Sequence, residues 1–401
     1  LRSRGLGDVY KRQIRKRKKN AWSYRIDLGF VDGKRKQVEK GGFKTEREAV
    51  KAMQDALYHL NNTGDYVENK KISFHTVYEE FIEREGKATR AYATLKKYDS
   101  LYRNHIKEQF GPLYVYKISY TMIIDFLNLK RQKYSEEYVK GLYKFFNVIL
   151  RYAHEHQYTK KNVMDLVPPP PDPRHVGDIV TYTREELEKM IQRIESTRSK
   201  IAFQIGLQAG LRESECFALT WEDIDFEKKK IKVCKQLLYQ DKKWCFAPLK
   251  TINSYRSVNI TAEFVQYLAD MKMQQEAERK LYGAGHKRNF VTDRRDPRKE
   301  KLIEVPDFIN VKANGEMLTT NGAKFLARII KKDLGIHFKF HNLRHTYATV
   351  LAENGLNPRY VQEMLGHSKL EFTLRYYTHI TEKMSSAAEN ALTAAFRFGE
   401  T

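Results

Sequence analysis

The chain has 401 residues, with 73 Lys and Arg against 50 Asp and Glu, so its formal net charge at neutral pH is +23. A hydrophobic share of 41% excludes a disordered chain, and no apolar run approaches the roughly 18 residues that a membrane span needs. The three cysteines have no metal-ligand spacing, which fits a reducing cytosol. The basic excess favours a nucleic-acid partner over a ribosome or membrane surface.

The first two segments differ in periodicity. Residues 1–13 show none and look like translated cloning sequence, so we expect a non-native leader outside the fold. Residues 14–66 predict a small sheet with one helix. Alternating apolar residues from Trp22 to Leu28 indicate a half-buried strand, Lys34 to Lys40 a polar return strand, and a further short strand ends at Phe43.

A helix should close this first unit, because Thr45 and Glu48 have the spacing of a capping box. The basic residues concentrate on the segment before the sheet and on its hairpin. Since a β-ribbon can enter the major groove of DNA, we predict that this face contacts DNA. The expected contact residues are Arg15, Lys16, Arg17, Lys18, Lys19, Tyr24, Arg25, Lys34, Arg35 and Lys36.

Helical spacing of apolar residues dominates residues 71–163, which predict a four-helix bundle with aromatic side chains in its core. Residues 164–180 include a run of prolines that favours an extended linker and marks a domain boundary. The whole chain is therefore expected to be multidomain and mainly α-helical, with small β-sheets.

The third domain, residues 181–401, predicts a mixed α+β fold. Thr183 and Glu186 form another capping box, and residues 230–260 read as one long β-hairpin. Apolar residues from Met384 to Phe396 predict a terminal amphipathic helix. That helix either covers its own core or docks on a neighbouring subunit.

Several familiar chemistries are excluded by missing motifs. The sequence has no phosphate-binding P-loop, no dinucleotide-binding glycine pattern in a strand-turn-helix context, and no carboxylate cluster typical of a magnesium site. His341 and His345 have the spacing of a zinc-binding helix, but Asn342 stands where a metalloprotease needs Glu. We therefore predict no metal.

Basic and phenolic residues remain, in five short motifs of the third domain: Gly210-Leu211-Arg212 with Glu215, Lys250 near a turn, His341-Asn342-Leu343-Arg344-His345, Leu365-Gly366-His367-Ser368, and Tyr377-Thr378-His379. Taken alone, the first of them also fits a structural Arg212–Glu215 ion pair. All five in this order resemble the tyrosine recombinase (phage integrase) family. The likeness extends to the domain order, which is similar to the arm-binding, core-binding and catalytic parts of lambda-type integrases of conjugative transposons and temperate phages.

The resemblance implies a role for each matching residue. Arg212 and Arg344 would grip the scissile phosphate, Lys250 would protonate the departing 5′ oxygen, and His367 would hydrogen-bond the phosphate. His341 would accept the proton of a tyrosine that attacks phosphorus and forms a 3′-phosphotyrosyl bond. His345 is expected to be a packing or capping residue.

Two adjacent tyrosines fit the nucleophile's place. Counting from His367 by the shortest spacing in the family selects Tyr376, whereas the Tyr-Thr-His context selects Tyr377. The preceding Thr373-Leu374-Arg375 resembles the longer variant, so we favour Tyr377.

The resemblance also implies partners and a setting. We expect a cytoplasmic, nucleoid-associated bacterial integrase that inserts and excises a mobile element, binds double-stranded core and arm sites, and acts as a homotetramer without ATP, metal or other cofactor. An excisionase and a host DNA-bending protein are possible partners. The alternatives are a type IB topoisomerase-like enzyme that nicks and reseals DNA, and a DNA-binding regulator without catalysis.

Overall fold

The structure is a computed structural model that describes residues 12–18, 21–31, 34–63, 70–171, 179–296, 299–377 and 389. Its contacts divide the chain into two units, residues 1–174 and 175–401. Within the described residues, no helix combines the length and apolar character needed to cross a bilayer. Residues 172–178 of the expected linker, and the predicted terminal helix apart from Glu389, lie outside the described residues.

An antiparallel sheet of order β1-β2-β3 with one helix opens the first unit: β1 (Arg12–Lys18), β2 (Ala21–Val31), β3 (Lys34–Phe43) and α1 (Glu46–Thr63). A small core forms where Tyr24 and Ile26 of β2 meet Met53 and Leu57 of α1. As the capping pattern predicts, the Thr45 hydroxyl accepts a hydrogen bond from the Glu48 amide at 3.2 Å.

Two features of this sheet differ from the sequence prediction. Strand β1 begins at Arg12, inside the segment expected to lie outside the fold, and Arg12 pairs with Ile26. The basic run is thus itself an edge strand, and its alternation is hard to see because Ile14 is its one apolar residue in contact with the core. Strand β3 runs without interruption to Phe43, where two strands were expected.

The rest of the first unit is a helical bundle, comprising α2 (Phe74–Phe81), α3 (Lys87–Thr89), α4 (Tyr92–Leu101), α5 (Lys107–Phe110), α6 (Tyr120–Arg131) and α7 (Glu136–Glu155). π-Helical turns at Ile82–Gly86 and Tyr102–Ile106 join α2 to α3 and α4 to α5, so these elements make four helical rods. Aromatic side chains fill the core, with Phe74, Phe145 and Phe146 in mutual contact, as the periodicity predicts.

The second unit mixes helices and short strands. Its helices are α8 (Arg184–Ile194), α9 (Lys200–Ala209), α10 (Glu213–Cys216), α11 (Ala262–Tyr282), α12 (Asn321–Leu334), α13 (Phe340–Glu353), α14 (Pro358–Leu365) and α15 (Leu370–Leu374). Its strands are β4 (Ile224–Asp225), β5 (Lys230–Val233), β6 (Gln236–Gln240), β7 (Lys243–Ala247), β8 (Arg256–Asn259), β9 (Phe290–Asp293) and β10 (Lys301–Glu304). The capping box predicted for Thr183 and Glu186 is confirmed at α8, and α14 begins with Asn357 as its cap and Pro358 in its first turn.

The strands form two sheets rather than the single long hairpin predicted for residues 230–260. One sheet has the order β4-β5-β8, with Ile231 opposite Val258. The other has the order β10-β9-β7-β6, so the hairpin of β6 and β7 lies outside the first sheet. It pairs through β7 with the distant strand β9, where Cys245 is opposite Thr292. Such long-range pairing has no local sequence signal.

The core of the second unit fixes the two elements that matter most for the site. Phe340 and Leu343 of α13 and Phe203 and Ile205 of α9 are buried in one hydrophobic cluster. A smaller cluster joins α13, α14 and the segment after α15, through Ala348, Val361, Leu365 and other side chains. The polar faces of these helices therefore have a fixed geometry.

Candidate active site

Arg212 occupies the turn between α9 and α10. Helix α9 ends at Gly210, whose φ of +60° is left-handed, and a Cβ there would collide with the Tyr347 ring. The Arg212 guanidinium donates to Glu215 Oε1 at 2.6 Å and to the Gly366 carbonyl at 3.0 Å. The Arg212 side chain is 34% exposed, so it faces solvent while these two hydrogen bonds fix its position.

Arg344 is a fully buried guanidinium on α13, with 1% exposure. It donates to the Gly210 carbonyl at 2.8 Å and to the Leu365 carbonyl. Burial first, and then the charges of Arg212 and Arg256, lower the pKa of the Arg344 guanidinium below its usual range. A buried arginine held by neutral carbonyls is costly unless a negative charge lies close by.

Glu215 supplies negative charge to this group, which we call the guanidinium cluster: Arg212, Arg256 and Arg344 around Glu215. The carboxylate is 2% exposed and accepts from Arg212 and, at 2.9 Å, from Arg256. Burial raises its pKa, but the charge and hydrogen bond of Arg256 and the charges of Arg212 and Arg344 outweigh burial and lower the pKa overall. Arg212 and Arg256 therefore share this carboxylate in ion pairs, while the described hydrogen bonds of Arg344 go to carbonyls and only its charge acts on Glu215.

His367 follows the end of α14. The chain turns at Gly366, with φ of +65°, where a Cβ would lie 2.9 Å from the Asn253 carbonyl oxygen. His367 Nδ1 is hydrogen-bonded to the Thr373 hydroxyl at 3.0 Å. Desolvation, followed by the charges of Arg344 and Arg212, lowers the pKa of His367 to about 3, so the ring is neutral at pH 7.

His341 and His345 lie one helical turn apart on α13, with ring centroids 4.6 Å apart. Desolvation of the ring and then the charges of Arg344 and Arg212 lower the pKa of His341. Desolvation and then the charge of His341 lower the pKa of His345 to about 4. Both rings are therefore neutral at pH 7 and able to accept a proton.

The two candidate tyrosines point to different partners. The Tyr376 hydroxyl is hydrogen-bonded to His345 Nδ1 at 2.7 Å, and its ring lies parallel to His367 with centroids 6.4 Å apart. The Tyr377 hydroxyl donates to the Leu356 carbonyl at 2.5 Å. Burial raises the pKa of both phenols. The charge of Arg344 opposes part of this rise for Tyr376 and has no such effect on Tyr377. Tyr376 thus contacts two of the candidate site histidines, whereas the described hydrogen bond of Tyr377 goes to Leu356.

Lys250 is exposed on the segment that links β7 to β8. The base of this segment is held by a 3.3 Å bond from the Leu249 amide to the Tyr255 hydroxyl and a 3.0 Å contact between the Thr251 and Ser254 hydroxyls. Its far end reaches the guanidinium cluster, because the Ser254 carbonyl accepts from Arg256 at 3.1 Å. A groove of about 550 Å³ beside this segment is lined by Arg256, His367 and other side chains.

Apart from Tyr24, the predicted DNA contacts of the first unit fall into three groups. Arg15 and Lys16 are exposed on β1. Arg25 and Arg35 form ion pairs across the sheet, with Glu39 at 3.0 Å and with Asp27 at 2.6 Å. Lys19 and the side chains of the remaining predicted lysines and arginine lie outside the described part of the chain: Arg17, Lys18, Lys34 and Lys36.

Tyr24 corrects the sequence prediction. Its side chain is 2% exposed and its ring stacks on Phe43 with centroids 5.8 Å apart. It is therefore a core residue of the sheet and offers no surface to DNA. Its position on the apolar face of the alternation in β2 was the signal for this.

Sequence reasoning missed Arg256 and misjudged His345. Arg256 was part of the segment around Lys250 but had no role assigned, and the structure buries it against Glu215. His345 is hydrogen-bonded to Tyr376 rather than simply packed or capping. The carbonyl acceptors of the cluster are invisible in any sequence. Among the described residues, no three His, Cys, Asp or Glu side chains are grouped to hold a metal ion.

Comparison with known proteins shows the family to which the chain belongs. The description "Phage integrase family" matches residues 181–384, and "Arm DNA-binding domain" matches residues 12–58. A tyrosine recombinase XerC-like protein of Caldanaerobacter subterraneus subsp. tengcongensis is 30% identical over 379 residues, 88% of this chain and 90% of that protein.

Two solved structures share the fold. The Tn1549 transposon integrase in complex with transposon right end DNA has a TM-score of 0.65 at 21% identity, and covers 80% of this chain and 100% of its own. A lambda integrase tetramer bound to a Holliday junction has a TM-score of 0.53 at 16% identity, over 94% of this chain and 96% of its own. The chain belongs to the phage integrase family, the tyrosine recombinases, and it is a site-specific recombinase that acts on DNA.

Proposed function

We propose that this recombinase cuts a DNA strand by attack of Tyr377 on the scissile phosphorus, which leaves a 3′-phosphotyrosyl bond and a free 5′-hydroxyl. The observation that carries the proposal is the charge of the guanidinium cluster. Three cations, one of them 1% exposed, surround a single carboxylate. A phosphodiester anion is the ligand that would complete this balance.

Arg212 and Arg344 would hold the non-bridging oxygens of that phosphate. Guanidinium forks match the geometry of phosphate oxygens, and they stabilise the additional charge of the pentavalent transition state. Arg212 supports this role because it faces solvent while Glu215 and the Gly366 carbonyl fix its position. His367, next to Gly366 and neutral, would donate a further hydrogen bond to the phosphate.

Two proton transfers accompany the displacement. The phenol proton of Tyr377 would pass to His341, whose lowered pKa leaves the ring neutral with a nitrogen free to accept it. Lys250, exposed on the segment that leads to Arg256, would give a proton to the departing 5′ oxygen. The phosphotyrosyl bond conserves the free energy of the broken linkage, so a 5′-hydroxyl from another strand can reverse the step and complete recombination.

Tyr377 is favoured over Tyr376 on the contacts of the two phenols. The Tyr376 ring is buried, and its hydroxyl is hydrogen-bonded to His345. The Tyr377 hydroxyl has a single described bond, to a carbonyl of the loop before α14, and the ring is partly exposed. A nucleophile must reach a phosphorus outside the protein core, so Tyr377 would release Leu356 when DNA binds.

The wider role that we propose is the integration and excision of a mobile genetic element. The sheet of the first unit would bind arm sites, and the helical bundle together with the second unit would bind core sites. Four copies would assemble on two DNA duplexes, as the lambda integrase tetramer does on its Holliday junction. An excisionase and a host DNA-bending protein would set the direction, and the reaction would take place in the cytoplasm at the nucleoid.

The test is covalent trapping on a nicked duplex from which the 5′ fragment diffuses away after cleavage. With EDTA present, the expected product is a protein–DNA adduct on a denaturing gel, mapped by peptide sequencing to Tyr377. Tyr377→Phe should abolish the adduct, and Tyr376→Phe should retain it. An adduct mapped to Tyr376 would transfer the nucleophilic role to that residue, and relaxation of plasmids that lack recombination sites would instead indicate a topoisomerase.

A further inference from the structure

Three successive carbonyls at the end of α14 accept hydrogen bonds from three different arginines. Arg256 Nε donates to Met364 at 2.6 Å, Arg344 to Leu365, and Arg212 to Gly366 at 3.0 Å. The last carbonyls of a helix lack partners within the helix and carry its partial negative charge. The carbonyls at the end of α14 therefore stabilise the positive charge that the Glu215 carboxylate alone does not balance.

Arg256 is nearly as buried as Arg344, and its described hydrogen bonds reach more parts of the site. Its side chain is 5% exposed, and its remaining described bonds go to Glu215 at 2.9 Å and to the Ser254 carbonyl at 3.1 Å. Arg256 thus contacts three pieces of the active site at once: the helix end before His367, the carboxylate that holds Arg212, and the segment that carries Lys250.

These pieces also approach each other closely at Gly366. The Asn253 carbonyl lies 2.9 Å from where a Cβ of Gly366 would be, so the segment from Lys250 to Arg256 abuts the turn before His367. The rigid fork of a guanidinium can satisfy acceptors in several directions, which a lysine ammonium on a flexible stem does less well.

We propose that Arg256 is a positioning residue for DNA cleavage, which sets the placement of Lys250 relative to Arg212 and His367 without touching the substrate. This inference rests on the proposed function, since it assumes that Lys250 protonates the leaving oxygen. A small displacement of a catalytic group has a large effect on rate, of the order of 10²-fold for about 1 Å.

The experiment compares two nicked duplexes that differ in one atom, the 5′ bridging oxygen or a sulfur in its place. A thiolate leaves without being protonated, so cleavage of the sulfur substrate bypasses the proton that Lys250 supplies. Single-turnover adduct formation is measured for the wild type, Arg256→Lys, Arg256→Met, Lys250→Met and the control Arg193→Met. Arg193 forms an ion pair with Asp333 in the same unit, with 2.5 Å between charged atoms.

We expect Arg256→Lys to slow cleavage of the oxygen substrate about 30-fold and to slow the sulfur substrate much less. The sulfur-to-oxygen rate ratio should therefore rise, as it does for Lys250→Met, and Arg193→Met should leave it unchanged. The dissociation constant for core DNA should stay within about threefold of wild type, because Arg256 is buried. Arg256→Lys keeps a cation beside Glu215, so it carries the test if Arg256→Met does not fold.

Equal slowing of both substrates by Arg256→Lys, or wild-type rates on both, would overturn the inference. In either case the wild type still forms its adduct, and the proposed function stands. If the wild type forms an adduct with neither substrate, the proposed function itself fails, and the inference fails with it.

Discussion

Two buried ionic sites in the second unit show opposite charge balance. At the first, the Lys235 ammonium is paired with Asp223 and donates to the Thr220 hydroxyl at 3.1 Å. The Thr220 amide and hydroxyl both donate to Asp223 at 2.9 Å, so each charge is matched and hydrogen-bonded. At the second, the guanidinium cluster holds three cations against Glu215.

The difference separates a structural site from a site built to receive a ligand. A matched pair inside the protein fixes the start of β6 and needs nothing further. An excess of buried cations is unfavourable in the free protein, and the binding of an anion relieves it. Burial, and then the charges of Arg344 and Arg212, likewise oppose protonation of His367.

Replacing one cation at each site should give the largest and most contrasting effects. Arg344→Met should lower the cleavage rate at least about 10³-fold, because it removes a phosphate-binding guanidinium. Its free energy of unfolding should change by about 1 kcal/mol or less, since an excess cation is lost. Lys235→Met should instead lower the free energy of unfolding by about 3 to 5 kcal/mol, because Asp223 is left unpaired.

Urea unfolding and covalent trapping on the nicked duplex measure both quantities. The contrast breaks down if Arg344→Met is as destabilised as Lys235→Met, because Arg344 would then be needed mainly for folding.

Removing the anion from each site sharpens the same contrast. Glu215→Gln leaves three guanidiniums without a carboxylate and should destabilise the unit by about 3 to 5 kcal/mol. Added sulfate should restore part of that loss, by about 2.7 kcal/mol at a concentration a hundred times its dissociation constant. The matched variant Asp223→Asn should gain no more from sulfate than the wild type does, because among the described ion pairs it loses only that of Lys235.

Thermal unfolding in sulfate and in chloride of equal ionic strength measures the effect. If sulfate stabilises both variants equally, the guanidinium cluster has no special affinity for an oxyanion.

A smaller effect concerns pH. The pKa of His345 is lowered to about 4 and that of His367 to about 3, against about 6.5 in an unfolded chain. Between pH 6.5 and 4 the unfolded chain binds protons at these two histidines and the folded protein does not. The free energy of unfolding should therefore fall as the pH is lowered through this window. His345→Gln should show a shallower fall, measured by urea unfolding at a series of pH values.

Bound sulfate should also raise the pKa of His367, because it offsets the charges of Arg344 and Arg212. NMR titration of the imidazole signals, with and without sulfate, follows this directly, and unchanged His367 signals would place the oxyanion elsewhere.

The sequence predicts the parts of this molecule that depend on local pattern. The capping residues of α1, α8 and α14 and the left-handed turns at Gly210 and Gly366 follow from residue type and spacing. The sheet of β6, β7, β9 and β10 does not, because its partners are far apart in the chain. The carbonyl acceptors of the guanidinium cluster cannot be predicted either, because every residue type carries a backbone carbonyl. One of them, the Met364 carbonyl, accepts from Arg256 and so brings Arg256 into the site.

The sheet of the first unit extends the comparison of matched and unmatched cations to DNA binding. Arg25 and Arg35 are matched with carboxylates across the strands, whereas the described contacts of Arg15 and Lys16 are with the Gln13 side chain and the Trp22 ring. Unmatched cations are the better phosphate ligands, since binding breaks no ion pair.

Arg15→Ala with Lys16→Ala should therefore weaken arm-site binding about tenfold or more and reduce its salt dependence by about 2 in logarithmic slope. Arg25→Ala and the core variant Tyr24→Phe should stay within about twofold, measured by fluorescence anisotropy at several salt concentrations. An equal loss for Arg25→Ala would show that ion pairs on this sheet open readily to phosphate, and would limit the charge-balance rule to buried sites.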